Sequence, residues 1–107
     1  MGPNPVEYLL GSLLGCLNVV GHIVAKEMDF EIEELKISAS GSLNPAKFSG
    51  QGFEERAGFQ SISAKMETKT SAGQDVLEKW ARTIEERCPV SDNIANVTPV
   101  HILPVKK

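Results

Sequence analysis

Asn4-Pro5-Val6-Glu7-Tyr8-Leu9-Leu10-Gly11-Ser12-Leu13-Leu14-Gly15-Cys16-Leu17-Asn18-Val19-Val20-Gly21-His22-Ile23-Val24-Ala25 is the stretch that decides the fold. It opens as helices open. Asn4 suits an N-cap, and Pro5 falls at the first helical position, where a missing N–H costs nothing. Glu7, three residues after the cap, can complete a capping box and sits well at the positive end of the helix dipole. Beyond Glu7 the apolar residues occupy nearly every face, as in a helix that is buried in a core or spans a membrane. Gly11, Ser12, Gly15, Asn18, Gly21 and His22 interrupt the run, which therefore falls short of the ~20 mostly apolar residues of a spanning helix. The reading is a central, buried helix with Cys16 at its middle. Gly11 and Gly15, four apart, share one side and admit close approach by another backbone. In so small a chain that backbone is expected to be a partner subunit's.

Composition sets the outer limits. The chain has 107 residues, which fits one domain, 1–107, with a core of modest size. Hydrophobic residues make up 41% and charged residues 23%, an ordinary soluble balance, and a net charge of -3 gives no footing for nucleic acid. The apolar run lacks a basic lead-in and a cleavage-like end, so a cytoplasmic location is expected, with thiols kept reduced. Cys16, Cys88 and the two histidines have no metal-ligand spacing, and neither a metal nor a cofactor is expected.

Along the chain, Lys26-Glu27-Met28-Asp29 closes the first helix. Phe30 to Leu43 alternates as a strand, Asn44-Pro45 ends it, and Ala46 to Gly58 reads as a loop with a Glu54-Glu55-Arg56 cluster. Phe59 to Thr70 alternates again, with Ile62, Ala64, Met66 and Thr68 on one face and Ser61, Ser63, Lys65, Glu67 and Lys69 on the other. One buried and one wet face suit an antiparallel sheet covered on one side. Ser71-Ala72-Gly73-Gln74 can cap a second helix reaching about Arg87, whose apolar stripe is Val76, Leu77, Trp80, Ala81 and Ile84. Cys88-Pro89 breaks that helix. Val90 to Asn96 has room for one further turn, capped by Ser91 or Asp92. Val97 to Val105 reads as a last strand, at an edge because of Pro99 and Pro104. The class is α+β: a small antiparallel sheet packed on a central helix. A helix apolar on every face needs more cover than these elements supply, and a homodimer is the expected solution.

Pro5-Val6-Glu7-Tyr8-Leu9-Leu10-Gly11-Ser12-Leu13-Leu14-Gly15-Cys16 resembles the cysteine helix of the OsmC/Ohr family, and Cys88-Pro89-Val90-Ser91-Asp92-Asn93-Ile94 resembles that family's second cysteine motif. The elements between them fit as well, so the resemblance covers essentially the whole chain. It implies an intertwined homodimer with sites at the subunit interface. It also implies a peroxiredoxin-like thiol peroxidase that reduces organic hydroperoxides with electrons from a dithiol reductant, in a stress-response role. The runner-up is a non-catalytic OsmC-like dimer that binds an apolar ligand or a protein in the same place, with no part for nucleic acid or membrane in either. Two departures stand out. The strands that usually precede the cysteine helix, and the arginine they supply, have no match here. The family's glutamate directly after the helix-opening proline is replaced by Val6, with Glu7 one place later.

The resemblance makes Cys16 the attacking thiol and Cys88 the resolving one. The chemistry needs both: a thiolate cleaves the O–O bond, and a second thiol captures the resulting sulfenic acid as a disulfide. Burial alone makes a thiol inert, so Cys16 needs a cation or donor nearby. Arg87, next to Cys88, and Arg56, from the loop, are the candidates. Glu7 is the third candidate catalytic residue, although nine residues of helix turn it about half a revolution from Cys16, which favours capping. The plain alternatives are that a free cysteine is a small core hydrophobe and that Trp80 is core. His22 is off the Cys16 face, which argues against a Cys–His pair within this helix.

Overall fold

A computed structural model describes residues 4–52 and 54–107 of the chain. Helix α1 spans Pro5–Glu27. Its capping box is complete: the Glu7 N–H donates to Asn4 Oδ1 at 2.9 Å, and the Asn4 N–H donates to Glu7 Oε1 at 3.2 Å. At the other end the chain leaves through a Schellman turn. The Phe30 N–H bonds the Ala25 carbonyl and the Asp29 N–H bonds the Lys26 carbonyl, both at 3.1 Å. Asp29 takes the left-handed position, φ 59°, that glycine usually fills.

By length and apolarity α1 would suffice to cross a membrane, despite the glycines and polar residues that interrupt it. In the fold it is the core helix, but it is covered on one stripe only: Leu13, Leu17, Gly21, Val24 and Ala25 are buried. Tyr8, Leu9, Val19 and Ile23 remain exposed, so all-round burial is not achieved within one chain. Within the chain nothing approaches Gly11 or Gly15, where a Cβ would meet nothing within 4 Å, so both leave open space on the side where a partner backbone is expected. The glycine that the packing uses is Gly21, where a Cβ would lie 3.2 Å from the Trp80 ring.

Strands β1 (Glu34–Ser42) and β2 (Ser61–Lys69) pair antiparallel, with Ile37 opposite Met66 and Gly41 opposite Ile62. Both are shorter than the alternation suggested; past the paired residues one further hydrogen bond forms at each end, from the Glu33 N–H to the Lys69 carbonyl at 2.8 Å and from the Gln60 N–H to the Ser42 carbonyl at 2.7 Å. Leu35, Ile37, Ile62 and Met66 turn inward against the helices, whereas Lys65 and Glu67 form an ion pair on the wet face. Across residues 43–60 the chain runs through turns and bends; residue 53 lies outside the described residues. Phe59 returns over the sheet end, and its ring would lie 2.6 Å from a Cβ at Gly41.

Helix α2 spans Gln74–Arg87 and buries Trp80 and Ile84. Ala81, expected in the same stripe, is exposed. The capping box expected at Ser71 does not form, and Gly73 is the N-cap without a side-chain bond. Thr70 organises that entry instead, its hydroxyl donating to the Glu31 carbonyl at 2.6 Å and accepting the Ala72 N–H at 3.2 Å. Helix α3 covers Pro89–Ala95, and its cap is Cys88, not Ser91 or Asp92.

The expected last strand, Val97 to Val105, does not form. Residues 97–107 have no regular structure, and their apolar side chains face outward, Val97 at 98% and Ile102 at 89% exposure. A strand exists only beside another, and no edge of the two-stranded sheet is paired with this segment. The described residues form three helices and two strands. With the tail extended, the chain measures 55 × 29 × 28 Å and has a radius of gyration of 17.3 Å. A compact chain of this length would have about 13 Å.

Candidate functional site

The core gathers on the stripe of α1 that contains Leu13, Leu17, Val24 and Ala25, against Trp80, Ile84 and Cys88. Cys16 packs on the edge of that cluster. The fold therefore brings together the two cysteines that the sequence separates widely. Both are reduced; Cys16 is half-buried and Cys88 has no exposed surface. Their thiols lie close enough to interact directly. Burial is the main influence on Cys88 and pushes its thiol up; the Ser91 N–H pulls it back down, the neighbouring Cys16 raises it further, and the Val90 N–H lowers it. The Ser91 N–H bond to Cys88 Sγ, 3.4 Å, is the N-cap bond of α3, so the same sulfur anchors a helix start and faces the second thiol.

An open apolar groove of about 800 Å³ runs over the same core, and neither cysteine is among the residues that line it. Leu13 and Leu17, which bracket Cys16 in α1, form one wall, with Ile62 and Met66 from β2 and Ile84 and Ile94 from the helices across from them. Ser91, bonded to Cys88, also lines it, and Arg56 reaches its rim. Its size is that of a small-molecule cleft.

The other candidates have different places. Glu7 is held in the capping box at the start of α1. Arg87 does not turn to the thiols that its neighbour joins. Its Nη1 and Nη2 donate to Glu27 Oε1 and Oε2 at 2.7 and 3.0 Å, because a carboxylate meets the guanidinium fork with two bonds and a thiol cannot. The hydrogen bond from Arg87 holds Glu27 below the usual carboxylate range. Arg56 donates from Nη1 to the Phe59 carbonyl at 3.3 Å. Trp80 is core, 2% exposed, with its indole N–H on the Gly21 carbonyl. His22 is exposed, and its Nδ1 is hydrogen-bonded to the Asn18 carbonyl.

Glu27, Gly21 and the capping role of Cys88 were not singled out from the sequence. For Glu27 a signal existed: it follows Cys16 by about three turns of α1 and so returns to the same face.

A long helix laid on an antiparallel hairpin, with two reduced cysteines gathered at the core between them, defines a small α+β dithiol protein. The chain belongs to the OsmC family: the family model described as OsmC-like protein matches residues 1–102. Among solved structures it is similar to an OsmC-like protein from Mycoplasma pneumoniae, with a TM-score of 0.80 at 18% identity over 91% of this chain. The chain spans 65% of the length of that structure, and at this identity the likeness carries the fold alone. No curated protein matches the sequence.

Proposed function

We propose that this protein is a peroxiredoxin-like peroxidase that reduces organic hydroperoxides, with Cys16 attacking and Cys88 resolving. One observation carries the reading: a half-exposed thiol and a fully buried one gather at a core whose Leu13, Leu17 and Ile84 also line an apolar groove. The Cys16 thiolate attacks the outer peroxide oxygen, breaking the O–O bond and releasing an alkoxide that takes a proton to leave as the alcohol. Cys16 is left as a sulfenic acid. The Cys88 sulfur then attacks the Cys16 sulfur, forming the disulfide and expelling water. A dithiol reductant restores both thiols by exchange, entering at the more accessible Cys16 sulfur.

The working unit is a homodimer in the cytoplasm. Support comes from the extended radius of gyration, the exposed apolar face of α1 and the exposed apolar tail, which together leave more uncovered surface than a stable monomer keeps. A second reading, a non-catalytic dimer that binds an apolar ligand in the groove, is favoured by the engagement of Arg87 with Glu27, which leaves that cation off the thiols. Adding cumene hydroperoxide to the reduced protein separates the two. Peroxidase activity oxidises two thiols per chain, Cys16→Ser abolishes the reaction, and Cys88→Ser stops at one trapped sulfenic acid. Unchanged thiols in the wild type would leave the ligand-binding reading.

A further inference from the structure

The residues around the thiol pair include one polar contact that the proposed chemistry does not use. Glu27 is the last residue of α1 and Arg87 the last of α2, and they form a bidentate pair immediately before Cys88. Their placement follows from helix geometry. About three turns separate Cys16 from Glu27, so the two side chains leave α1 within about 20° of one another and roughly 16 Å apart along its axis. Between them, within about 40° of both, lies the half-buried Val20, which packs against the core that holds Ile84. The end of α2 is thus held to one face of α1 at two points, by Arg87 on Glu27 and by Cys88 beside Cys16.

We infer that the Glu27–Arg87 pair is a positioning clamp for the thiol pair, keeping Cys88 in register to close a disulfide on Cys16. Closing it requires the two sulfurs to come to bonding distance with one torsion near ±90°, a geometry with little tolerance. The stretch that must supply it is Cys88 itself, non-helical between α2 and α3 and followed by a proline. Arg87 fixes the chain on one side of this joint, and the Ser91 N–H bond to Cys88 Sγ fixes it on the other. A carboxylate and a guanidinium meeting by two parallel bonds set direction as well as distance, which a single hydrogen bond does not. Neither residue touches the reacting atoms. The inference takes its substrate from the hydroperoxide reading, but the closure itself needs only a thiol oxidant.

The test measures closure apart from peroxide chemistry. In a glutathione redox buffer, the ratio of dithiol to disulfide gives the effective concentration of one thiol at the other. Glu27→Gln and Arg87→Gln should each lower that concentration several-fold. The charge swap of Glu27→Arg with Arg87→Glu should restore most of it, since α1 gains the helix-end interaction that α2 loses. With cumene hydroperoxide, the single variants should form the Cys16 sulfenic acid at the wild-type rate and convert it to disulfide several-fold more slowly. A wild type that closes in glutathione buffer but ignores the hydroperoxide would overturn the peroxidase reading and leave the clamp standing. Single variants with an unchanged effective concentration, or a swap that restores nothing, would overturn the clamp. Trp80 fluorescence, unchanged across the set, separates a local effect from loss of the fold.

Discussion

The Trp80 indole N–H donates to the Gly21 carbonyl at 2.8 Å, in a notch that exists because residue 21 has no side chain. The contact joins α2 to α1, and the Phe30 ring meets Trp80 edge-on at 5.9 Å, closing the notch from the Schellman turn.

Three glycines in one helix should therefore respond with opposite signs. Alanine at Gly21 gains about 1 kcal/mol of helix propensity and loses about 1–3 kcal/mol to overpacking against an indole that is buried and hydrogen-bonded. Gly21→Ala should lower the unfolding free energy. Gly11→Ala and Gly15→Ala meet open space within the chain and should each raise it by up to about 1 kcal/mol. Urea melts of the three variants check this; a stabilising Gly21→Ala would show that the α1–α2 contact yields easily.

Asp29 offers a second backbone test. It holds φ 59° at the position after the α1 cap, where a Cβ costs about 1–2 kcal/mol relative to glycine. Part of that difference is returned by the greater freedom of glycine in the unfolded chain. Asp29→Gly should stabilise by about 0.5–1 kcal/mol, and Asp29→Val should destabilise. Thermal unfolding at fixed protein concentration reads both.

How far the sequence disclosed this molecule depends on where its information was local. Asn4, Pro5 and Glu7 act within one turn, and the α1 start is where they place it. Alternation located both strands, because period-two burial is a property of neighbouring residues. Ser71 failed as a cap because Thr70 serves that turn through a bond to the distant Glu31 carbonyl, which the local pattern does not contain. The tail failed for a related reason: Val97 to Val105 has the residues of a strand but no neighbour within the chain to pair with. The family motifs single out both cysteines, and the fold gathers the two at one core. The pairing of Arg87 with Glu27 instead of a thiol is a tertiary choice, legible only once the ends of α1 and α2 are in place.

The tail yields the clearest oligomer prediction. Removing residues 97–107 takes away five exposed apolar side chains and leaves the helix–hairpin core intact. Full-length protein should sediment as a dimer at micromolar concentration, and the truncated chain as a folded monomer with Trp80 still shielded. A full-length monomer would sink the dimer proposal, and a truncated dimer would move the interface elsewhere.

The two thiols should differ in labelling and in their effect on pH stability. Cys88 has no exposed surface and a thiol pushed up by burial, so iodoacetamide near pH 8 should modify Cys16 first. Above a thiol's ordinary pKa the unfolded chain has lost a proton that folded Cys88 still holds. The stability due to the protonated thiol is thus complete below that ordinary value and declines as pH rises through the folded one. Melting temperature should be flat across neutrality and fall above about pH 9, and Cys88→Ala should remove that part of the fall. Equal labelling of the two thiols would mean that the core opens readily around Cys88.

The groove makes the last prediction, about substrate. If the alkyl part of a hydroperoxide lies between Leu13, Leu17 and Ile62, each buried CH₂ contributes at most about 0.8 kcal/mol, or roughly fourfold in rate constant. Hydrogen peroxide collects none of this. Cumene hydroperoxide should therefore react with reduced protein much faster than hydrogen peroxide, and longer alkyl chains faster than short ones until the groove is full. Ile62→Thr keeps the branched shape that suits β2 and puts a hydroxyl in the wall. It should lower the rate with cumene hydroperoxide several-fold and leave the rate with hydrogen peroxide unchanged, since the Cys16 thiol itself is untouched. Stopped-flow measurement of thiol loss with both oxidants reads the two rates. Equal losses with both would mean that Ile62 acts on the fold and not on the alkyl group, and the groove would then have no claim to the substrate.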